Sequence, residues 1–513
     1  MSGSLIPFAN IPANVRVPFF YAEFSNVAAG GTVPNQRRII IGQTVNAVAA
    51  TPTYVPAVAW AQATFGPRSQ LAAMIAAYRA NDTTGELWAL PLADNAGSAA
   101  ATSTITVTGP ASANGTLWIY AGCVPGLSGT VAPVQVGVSS GDTATVIAGN
   151  IAAAMAAAPY LPFTAAAALG VVTLTAANKG TLGNAVPVVL NFLGAEGGQA
   201  IPAGVTIAVA AFAGGATDPS LATIATILGN QAFDFIYSAY SDATSLGDTT
   251  ALMNDATGRW SYNQALYGGV FTAHSDTVAN LLTYGGLLND QHLTVLGVNQ
   301  ASPTPAWIWG PAFMAQFAFS SVNQPNQPAQ TLVLRGVLPA QAASEFTFTQ
   351  QQSLLSAGVA VAAYGSGGVA QIVRAVTTYQ KNSSGQTDTS YLDTETMFTL
   401  MAVVRQLRGA VTQKFPRSLI ADDGTRIPVT PPGDVPVIVT PSIIKGELVA
   451  QYAQLVNAGL CDDTAAFIAG LIVQRNATDN TRVDVLFDPY LVSGLRIFAV
   501  LTQFHLQAVQ AAA

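Results

Sequence analysis

Short apolar runs typical of buried strands alternate with helix-like stretches in this chain, and this alternation constrains the fold more than any other feature of the sequence. Arg38–Gly42 and Glu86–Pro91 have the composition of buried strands, and Pro67–Arg79 between them has that of a helix. A strand, a helix and a second strand in this order imply a parallel pair with a right-handed crossover. The alternation returns later, with strands predicted at Phe233–Tyr240, Gly269–His274 and His292–Val298 and helices at Thr244–Asp255, Asp276–Asn289 and Thr304–Phe319. The sequence therefore predicts an α/β core with a parallel-rich sheet.

A segment almost without charge interrupts this alternation. Residues 99–215 contain three charged side chains, Asp142, Lys179 and Glu196, whereas the whole chain has 19 basic and 26 acidic residues. Short β-prone runs separated by Gly, Pro and Asn turns fill most of the segment. One helix is predicted behind Asp142, which we expect to cap it. We therefore expect residues 98–216 to form a mostly-β domain inserted between core strands.

The last part of the chain mixes helices with short strands. A hairpin is predicted at Gly358–Tyr364 and Ala370–Tyr379, around a glycine-rich turn. A long helix is predicted at Leu392–Phe415, where a proline follows it, and another within Pro441–Leu460. The predicted domains are an N-terminal extended arm at 1–35, a core α/β domain at 36–97 and 217–385, the inserted domain at 98–216, an α+β C-terminal domain at 386–482, and a C-terminal strand with an extended arm at 483–513.

Both ends of the chain combine apolar side chains with an extended pattern. Apolar residues alternate in Asn14–Phe24, where Pro18 excludes a helix interior, and Leu495–Leu506 is strongly β-prone. Apolar chain ends fray unless a partner ties them down, and such strands gain hydrogen bonds and burial together by joining a neighbour's sheet. The predicted strand-exchange residues are Val15, Val17, Phe19, Tyr21 and Phe24 in the first segment and Leu495, Ile497, Ala499, Leu501 and Phe504 in the second.

Four basic side chains lie close together in and just beyond the predicted long helix. They are Arg405, Arg408, Lys414 and Arg417, in a chain with only 19 basic residues. Two interpretations are open: a solvated helix face, or an electrostatic contact with an acidic partner surface.

The low charge of the chain excludes several classes of protein. Charged residues make up 9% of the sequence and hydrophobic residues 50%, with a net charge of −7, whereas an average soluble domain is about 25% charged. Such a surface favours association, so we expect much of it to be covered, most simply by copies of the same chain. The hydrophobic content argues against disorder, and the acidic balance argues against nucleic acid as a partner.

Cysteines, histidines and the first residues set further limits. The two cysteines, Cys123 and Cys461, exclude a disulfide framework and suit a reducing compartment. Three scattered histidines are too few for a His-based metal cluster, and no cofactor is expected. The opening residues lack the basic and apolar regions of a secretory signal. The charge-free stretch 143–178 is interrupted by Pro159, Pro162 and Gly170, so no transmembrane helix is expected there.

No residue pattern argues for catalysis. His274, Ser275 and Asp276 are adjacent in sequence, but a nucleophilic triad needs residues that converge from separate segments. Ser275 is better explained as a helix cap. The glycine-rich residues 366–368 lack the Lys-Ser/Thr of a phosphate loop and favour a tight hairpin turn.

Five segments of the chain carry a family resemblance. They are IPANVRVPFFYAEFSN, RRIIIGQ, FGPRSQLAAMIAAYRANDTTGELWALPLAD, YLDTETMFTLMAVVRQLRGAVTQKFPRSLIADDG and VQRNATDNTRVDVLFDPYLVSGLRIFAVLTQFHLQ. In combination they resemble the tail sheath proteins of Mu-like contractile-tailed bacteriophages. The resemblance runs from about residue 9 to residue 508 and is weakest across 99–215.

The resemblance implies a structural protein and no enzyme. Sheath subunits of this family stack as hexameric rings or a six-start helix around a rigid tube, and a trigger at the baseplate lets the metastable sheath contract and drive the tube through the host envelope. It further implies a core of subtilisin-like topology without catalysis, and terminal arms exchanged between subunits. The implied partners are the tail tube protein in the lumen, which the four basic residues would contact, and the baseplate and tail terminator at the ends. Nucleic acid binding and membrane insertion are not implied, and the protein would assemble in the host cytoplasm and reside in the virion tail.

Two other classes of protein stay open from the sequence. One is a serine hydrolase on the α/β core. The other is a secreted surface-array or adhesin protein, which the Ala/Thr/Gly-rich β segment suggests and the expected lack of a secretory signal disfavours.

Overall fold

The computed structural model describes residues 36–365, 368–427 and 437–506, and the elements below belong to the compact unit that begins at Arg37. The first part of the core contains β1 (Arg38–Gln43), β2 (Thr53–Tyr54), α1 (Val58–Phe65), α2 (Gln70–Arg79) and β3 (Leu87–Leu92). The next elements are β4 (Ala100–Thr108), β5 (Gly115–Ala121), β6 (Val134–Val138), α3 (Ala144–Ala156), β7 (Phe163–Ala168), β8 (Val171–Lys179), a 3₁₀ helix (Thr181–Ala185), β9 (Val188–Leu190) and β10 (Thr206–Val209).

The core then resumes and leads into the C-terminal region. Its second part contains α4 (Ile224–Leu228), β11 (Phe235–Ser238), α5 (Ala243–Met253), β12 (Gly269–Asp276), α6 (Val278–Gly286), β13 (Leu293–Asn299), α7 (Ala306–Asn323), β14 (Val333–Leu334), α8 (Phe348–Ser356), β15 (Val359–Tyr364) and β16 (Ala370–Arg374). The remaining elements are α9 (Thr394–Lys414), β17 (Leu419–Ile420), β18 (Ile438–Val439), α10 (Pro441–Asn457), β19 (Cys461–Asp462), α11 (Thr464–Gly470), β20 (Ile472–Arg475), β21 (Val483–Leu486) and β22 (Tyr490–Leu491).

Among the described residues, nine strands form the core sheet in the order β14-β16-β15-β13-β12-β11-β1-β3-β2. The six strands from β15 to β3 in this order are parallel, and β16, β14 and β2 pair antiparallel at the two sides. Ile39, Ile40 and Ile41 of β1 are all fully buried, because helices cover both faces of the sheet, and this explains their continuous apolar run. The predicted parallel-rich α/β core is confirmed. The chain reverses its direction of strand addition between β3 and β11, on either side of β1, as in doubly wound sheets.

Helix α9 connects the core to the C-terminal region. Near its start, the Phe398 ring stacks on Phe235 of β11 at 4.7 Å between centroids. Further along, Val403 belongs to a separate apolar cluster with Leu448 and Tyr452 of α10. The predicted long helix is therefore present. Its first part packs on the core sheet, and a later part packs on the C-terminal apolar cluster.

Residues 100–209 form two further sheets, of order β10-β4-β8-β7 and β6-β5-β9. The chain enters and leaves this segment at one place, since Ala99 and Ala216 exchange two backbone hydrogen bonds. The prediction that Asp142 caps α3 was wrong. Thr143 is the cap and accepts a hydrogen bond from the Val146 backbone N–H, because it is the residue that directly precedes the helix.

The segment containing these two sheets is tied to the carboxyl end of β1. The Gln43 side-chain amide donates to Asp94 Oδ1 and to the Lys179 backbone oxygen, both at 2.7 Å. Asn178 accepts from the Gln70 backbone N–H and donates to the Thr44 oxygen. Ligands of doubly wound proteins bind at this edge of the sheet, where the strand order reverses. Here part of β8 occupies that position.

Several predictions concern residues that lie outside the described ranges. The N-terminal arm, with Val15, Val17, Phe19, Tyr21 and Phe24, and two residues of the glycine-rich turn, 366–367, lie there. Within the described ranges, no helix combines the length and the apolar character needed to cross a bilayer.

Candidate functional site

The C-terminal arm, residues 492–506, is an apolar segment in contact with solvent. The backbone there forms neither helix nor strand in the single chain, and the predicted strand exchange with a neighbour stays a prediction. A strand needs a hydrogen-bonded neighbour, and the described part of this chain pairs none with it. Leu495, Ile497, Ala499, Leu501 and Phe504 are all exposed, Leu501 to 85%. A stretch of this kind is an aggregation hazard unless another surface covers it.

The arm begins at a partly buried group of charged side chains. Just before it, β22 pairs with β19. The Arg496 guanidinium then lies 2.9 Å from Glu395 Oε2 and 3.3 Å from Asp393 Oδ1, at the start of α9. Arg374 forms two hydrogen bonds with the same Asp393 carboxylate. The root of the arm is therefore held by ion pairs, whereas the rest of the arm is apolar.

A β-hairpin lies close in sequence to the arm. Within the described residues, no further strand pairs with either of its outer edges. Strands β20 and β21 pair antiparallel from Ile472–Leu486 to Arg475–Val483 and form a sheet of two strands within the described ranges. Val473 and Phe487 pack on the C-terminal apolar cluster, while Ile472 and Leu486 are exposed. Free main-chain groups beside exposed apolar side chains are what an added strand requires.

Arg405 of the basic cluster is engaged inside the subunit. Its guanidinium forms a two-pronged ion pair with Asp234, each N–O distance 2.6 Å, and donates to the Leu266 oxygen. The Asp234 side chain is 3% exposed and that of Arg405 21%. Sequence reasoning placed Arg405 with the tube-contact residues, and the structure instead gives its charge an internal partner. The two residues are 171 positions apart, and no local pattern signals such a pair.

The other three basic residues differ in their surroundings. Arg408 is exposed and reaches the Ala265 oxygen at 3.4 Å. Lys414 pairs with Glu447 of α10. Arg417 is exposed in the loop after α9. Of the four basic residues, Arg408 and Arg417 are therefore the exposed ones for which the described residues show no ion pair.

The carboxyl ends of β11 and β12 bring together two residues that sequence reasoning did not pair. Ser241 Oγ lies 2.9 Å from His274 Nδ1, and the Tyr284 ring stacks on the imidazole at 4.2 Å. Burial lowers the pKa of His274, so the ring is neutral near pH 7. Tyr284 also donates to the Ser241 backbone oxygen, so the arrangement ties α6 to two strands. The prediction that Ser275 caps a helix was wrong, because Ser275 belongs to β12 and Thr277 caps α6.

The two cysteines are buried thiols. Burial raises the pKa of Cys123 to about 12 and that of Cys461 to about 11. Both side chains are therefore protonated and poorly nucleophilic near pH 7. They serve as small apolar groups of the inserted segment and of the C-terminal cluster.

The comparisons with known proteins decide the family. Residues 214–378 match the family model of the phage tail sheath protein central domain, and residues 386–505 match that of the phage tail sheath C-terminal domain. The chain is 35% identical over 506 residues to the Mu-like prophage FluMu tail sheath protein of Haemophilus influenzae, covering 98% of this chain and 100% of that protein. The chain belongs to the phage tail sheath family. As a member of this family it is a structural tail protein, and the resemblance drawn from the sequence is confirmed.

Solved structures also align with this chain. The sheath tail protein of Desulfitobacterium hafniense is 12% identical with a TM-score of 0.46, over 94% of this chain and 97% of that one. The sheath tail protein Lin1278 of Listeria innocua is 10% identical with a TM-score of 0.44, over 89% and 92%. A chain of the anti-feeding prophage baseplate in its contracted state is 13% identical with a TM-score of 0.47, over 96% and 100%.

Proposed function

We propose that this chain polymerises around a tail tube as the subunit of a contractile sheath, in hexameric rings or a six-start helix. The extended sheath is metastable, and its contraction drives the tube through the host envelope during genome delivery. The sheath assembles in the host cytoplasm, meets the baseplate and the tail terminator at its ends, and becomes part of the virion tail. The observation that supports this proposal best is the exposed apolar arm close in sequence to a hairpin with free edges.

Strand addition between subunits gives both features a partner. In the proposed arrangement, the C-terminal arm of one subunit and the N-terminal arm of another complete a sheet with β20 and β21 of a third. Each main-chain hydrogen bond contributes about 0.5–1.5 kcal/mol, and burial of a leucine contributes about 1.5–3 kcal/mol. Covalent continuity between arm and body lets subunits pivot during contraction while the added strands remain paired.

Removal of the C-terminal arm tests the proposal. Deleting residues 494–513 is expected to give a folded, soluble subunit that forms no tubes in electron micrographs, and deleting residues 1–24 should do the same. Regular tubes from either folded truncation would refute arm exchange.

A matched pair of point variants separates the arm from exposed leucines in general. Leu501→Asp lies in the arm, whereas Leu169→Asp lies in the inserted segment at 91% exposure. Both changes replace a solvent-exposed leucine, so neither should destabilise the isolated subunit. We expect only Leu501→Asp to abolish tube formation, and equal polymerisation of the two variants would contradict the proposed role of the arm.

We further propose that the inserted domain, 98–216, is peripheral and makes few contacts between subunits. The shared exit at Ala99 and Ala216 makes this testable by deletion, because a short linker spans the gap that is left. Replacing residues 99–215 by a Gly/Ser linker should leave tube assembly intact. Since Gln43 loses its partner Lys179 in this variant, its fold is checked by circular dichroism, and loss of tubes from a folded variant would refute the proposal.

For the contact with the tube we propose the exposed residues Arg408 and Arg417. Exposed ion pairs contribute about 0.2–1 kcal/mol each and are screened by salt, which suits a contact that must be released on contraction. Arg408→Glu combined with Arg417→Glu should lower the salt concentration at which co-assembled tube is lost. Loss of the tube at the same salt concentration as in the wild type would contradict this contact.

The resemblance also implies a subtilisin-like topology for the core, without its catalysis. The observed strand order supports the coarser description, a doubly wound α/β sheet with antiparallel strands at its sides. The subtilisin-like arrangement stays a prediction.

A further inference from the structure

We propose that Arg496 is a positioning residue that fixes where the C-terminal arm leaves its own subunit, so that the arm is presented to a neighbour. This inference rests on the arm exchange proposed above. It concerns the cluster of Arg496, Asp393, Glu395 and Arg374, which we call the arm clasp.

In the arm clasp, Arg496 and Glu395 form a buried ion pair, and the neighbouring Arg374 and Asp393 side chains are 26% and 25% exposed. Within the described residues, Nε and Nη1 of Arg496 are buried without a hydrogen-bond partner. The Arg496 side chain is 13% exposed and that of Glu395 5%. The second oxygen of Glu395 accepts the Ala329 backbone N–H at 2.9 Å, so this carboxylate joins the arm, α9 and the loop before β14. Two arginines and two carboxylates give the group no net charge. Breaking such a pair by removing one partner is far more costly than losing an exposed pair.

The backbone around Arg496 is also held. Gln330 donates a hydrogen bond to the Leu495 oxygen at 3.2 Å. A side chain at Gly494 would meet the Pro328 ring, so the chain passes this loop in close contact. Arg496 is thus fixed on both sides, and from Ile497 onward the arm is exposed.

The chain is held at Arg496 and exposed from Ile497 onward, and this lowers the entropic cost of docking the arm on a neighbour. A freely jointed apolar arm has many conformations to lose on docking, at a cost of about 1–2 kcal/mol for each residue fixed. Fixing the first residues in the isolated subunit removes part of that cost beforehand. The arm clasp also commits the root of the arm to the start of α9.

The test compares Arg496→Ala with Arg335→Ala, which removes an exposed arginine of the core. The critical concentration for tube formation should rise about tenfold in Arg496→Ala, equivalent to about 1.4 kcal/mol, and stay unchanged in Arg335→Ala. A spin label at Thr502→Cys, in the exposed arm, should become more mobile in the subunit that carries Arg496→Ala. Tubes at the wild-type critical concentration, or an unchanged label, would overturn the proposal.

A double variant separates positioning from folding. Arg496→Ala leaves Glu395 buried without its cation, so Arg496→Gln combined with Glu395→Gln removes both charges. This double variant should keep the thermal stability of the body yet retain the raised critical concentration, because the amide pair does not anchor the arm. If deletion of 494–513 abolishes tubes while the double variant polymerises normally, the arm clasp is refuted and arm exchange stands. If the deletion itself polymerises, arm exchange fails.

Discussion

Replacing Arg405 by alanine should destabilise the subunit through the Asp234 carboxylate it leaves behind. Arg405 provides two contacts of 2.6 Å to a side chain that is 3% exposed. Removing one partner of a buried pair costs about 3–5 kcal/mol. Since Arg405 is partly exposed and the buried Arg259 also interacts electrostatically with Asp234, we expect the lower end, about 3 kcal/mol. Arg405→Lys keeps the positive charge but loses the planar guanidinium, so its stability should lie between that of the wild type and that of Arg405→Ala.

The control for this prediction is Arg408→Ala, one helical turn further along α9. Its guanidinium reaches a single carbonyl oxygen at 3.4 Å, so its loss should change stability by no more than about 0.5 kcal/mol. The assay is urea unfolding of the non-polymerised subunit, with the free-energy difference taken from the shift in midpoint. Equal midpoints for the Arg405→Ala and Arg408→Ala variants would refute the internal role of Arg405.

Three further predictions concern packing and pH. Gly310→Ala places a methyl group of α7 against the buried Tyr237 ring, and overpacking should cost about 1–3 kcal/mol in thermal unfolding. Phe398→Ala removes a ring that is 2% exposed and stacks on a phenylalanine of β11, and should cost about 3–5 kcal/mol in the same assay. The hydrogen bond from His292 lowers the pKa of Asp255, so its contribution is present above the ordinary carboxylate pKa of about 3.9 and is lost as the pH falls through the lower folded value. Asp255→Asn should therefore flatten the fall in urea midpoint below about pH 4, and an unchanged slope would count against this pair.

The core strands were predictable because their signal is local. Ile39–Ile41 form a continuous run of β-branched apolar residues, which is typical of a strand buried on both faces. Helix α9 was predictable for a similar reason, since its apolar stripe recurs at helical spacing. Thr143 shows the limit of such rules, because two adjacent residues had the chemistry of a cap and the geometry chose the second.

The functional features depend on contacts that the sequence does not reveal. The pair of Asp234 and Arg405 and that of Ser241 and His274 form only when separate strands and helices meet. The arm 492–506 has the composition of a strand, but a strand exists only where another backbone pairs with it. In the arm exchange proposed above, the backbone that pairs with the arm belongs to a neighbouring subunit.

Electron cryomicroscopy of tubes formed by the purified full-length protein tests arm exchange most directly. We expect a helical or stacked-ring polymer in which residues 495–506 of one subunit pair as a strand beside the β20–β21 hairpin of another. Arg496 of the same arm should remain within ion-pair distance of Glu395 of its own subunit. A polymer in which the arm packs on its own body, or in which the hairpin edges stay free, would contradict arm exchange.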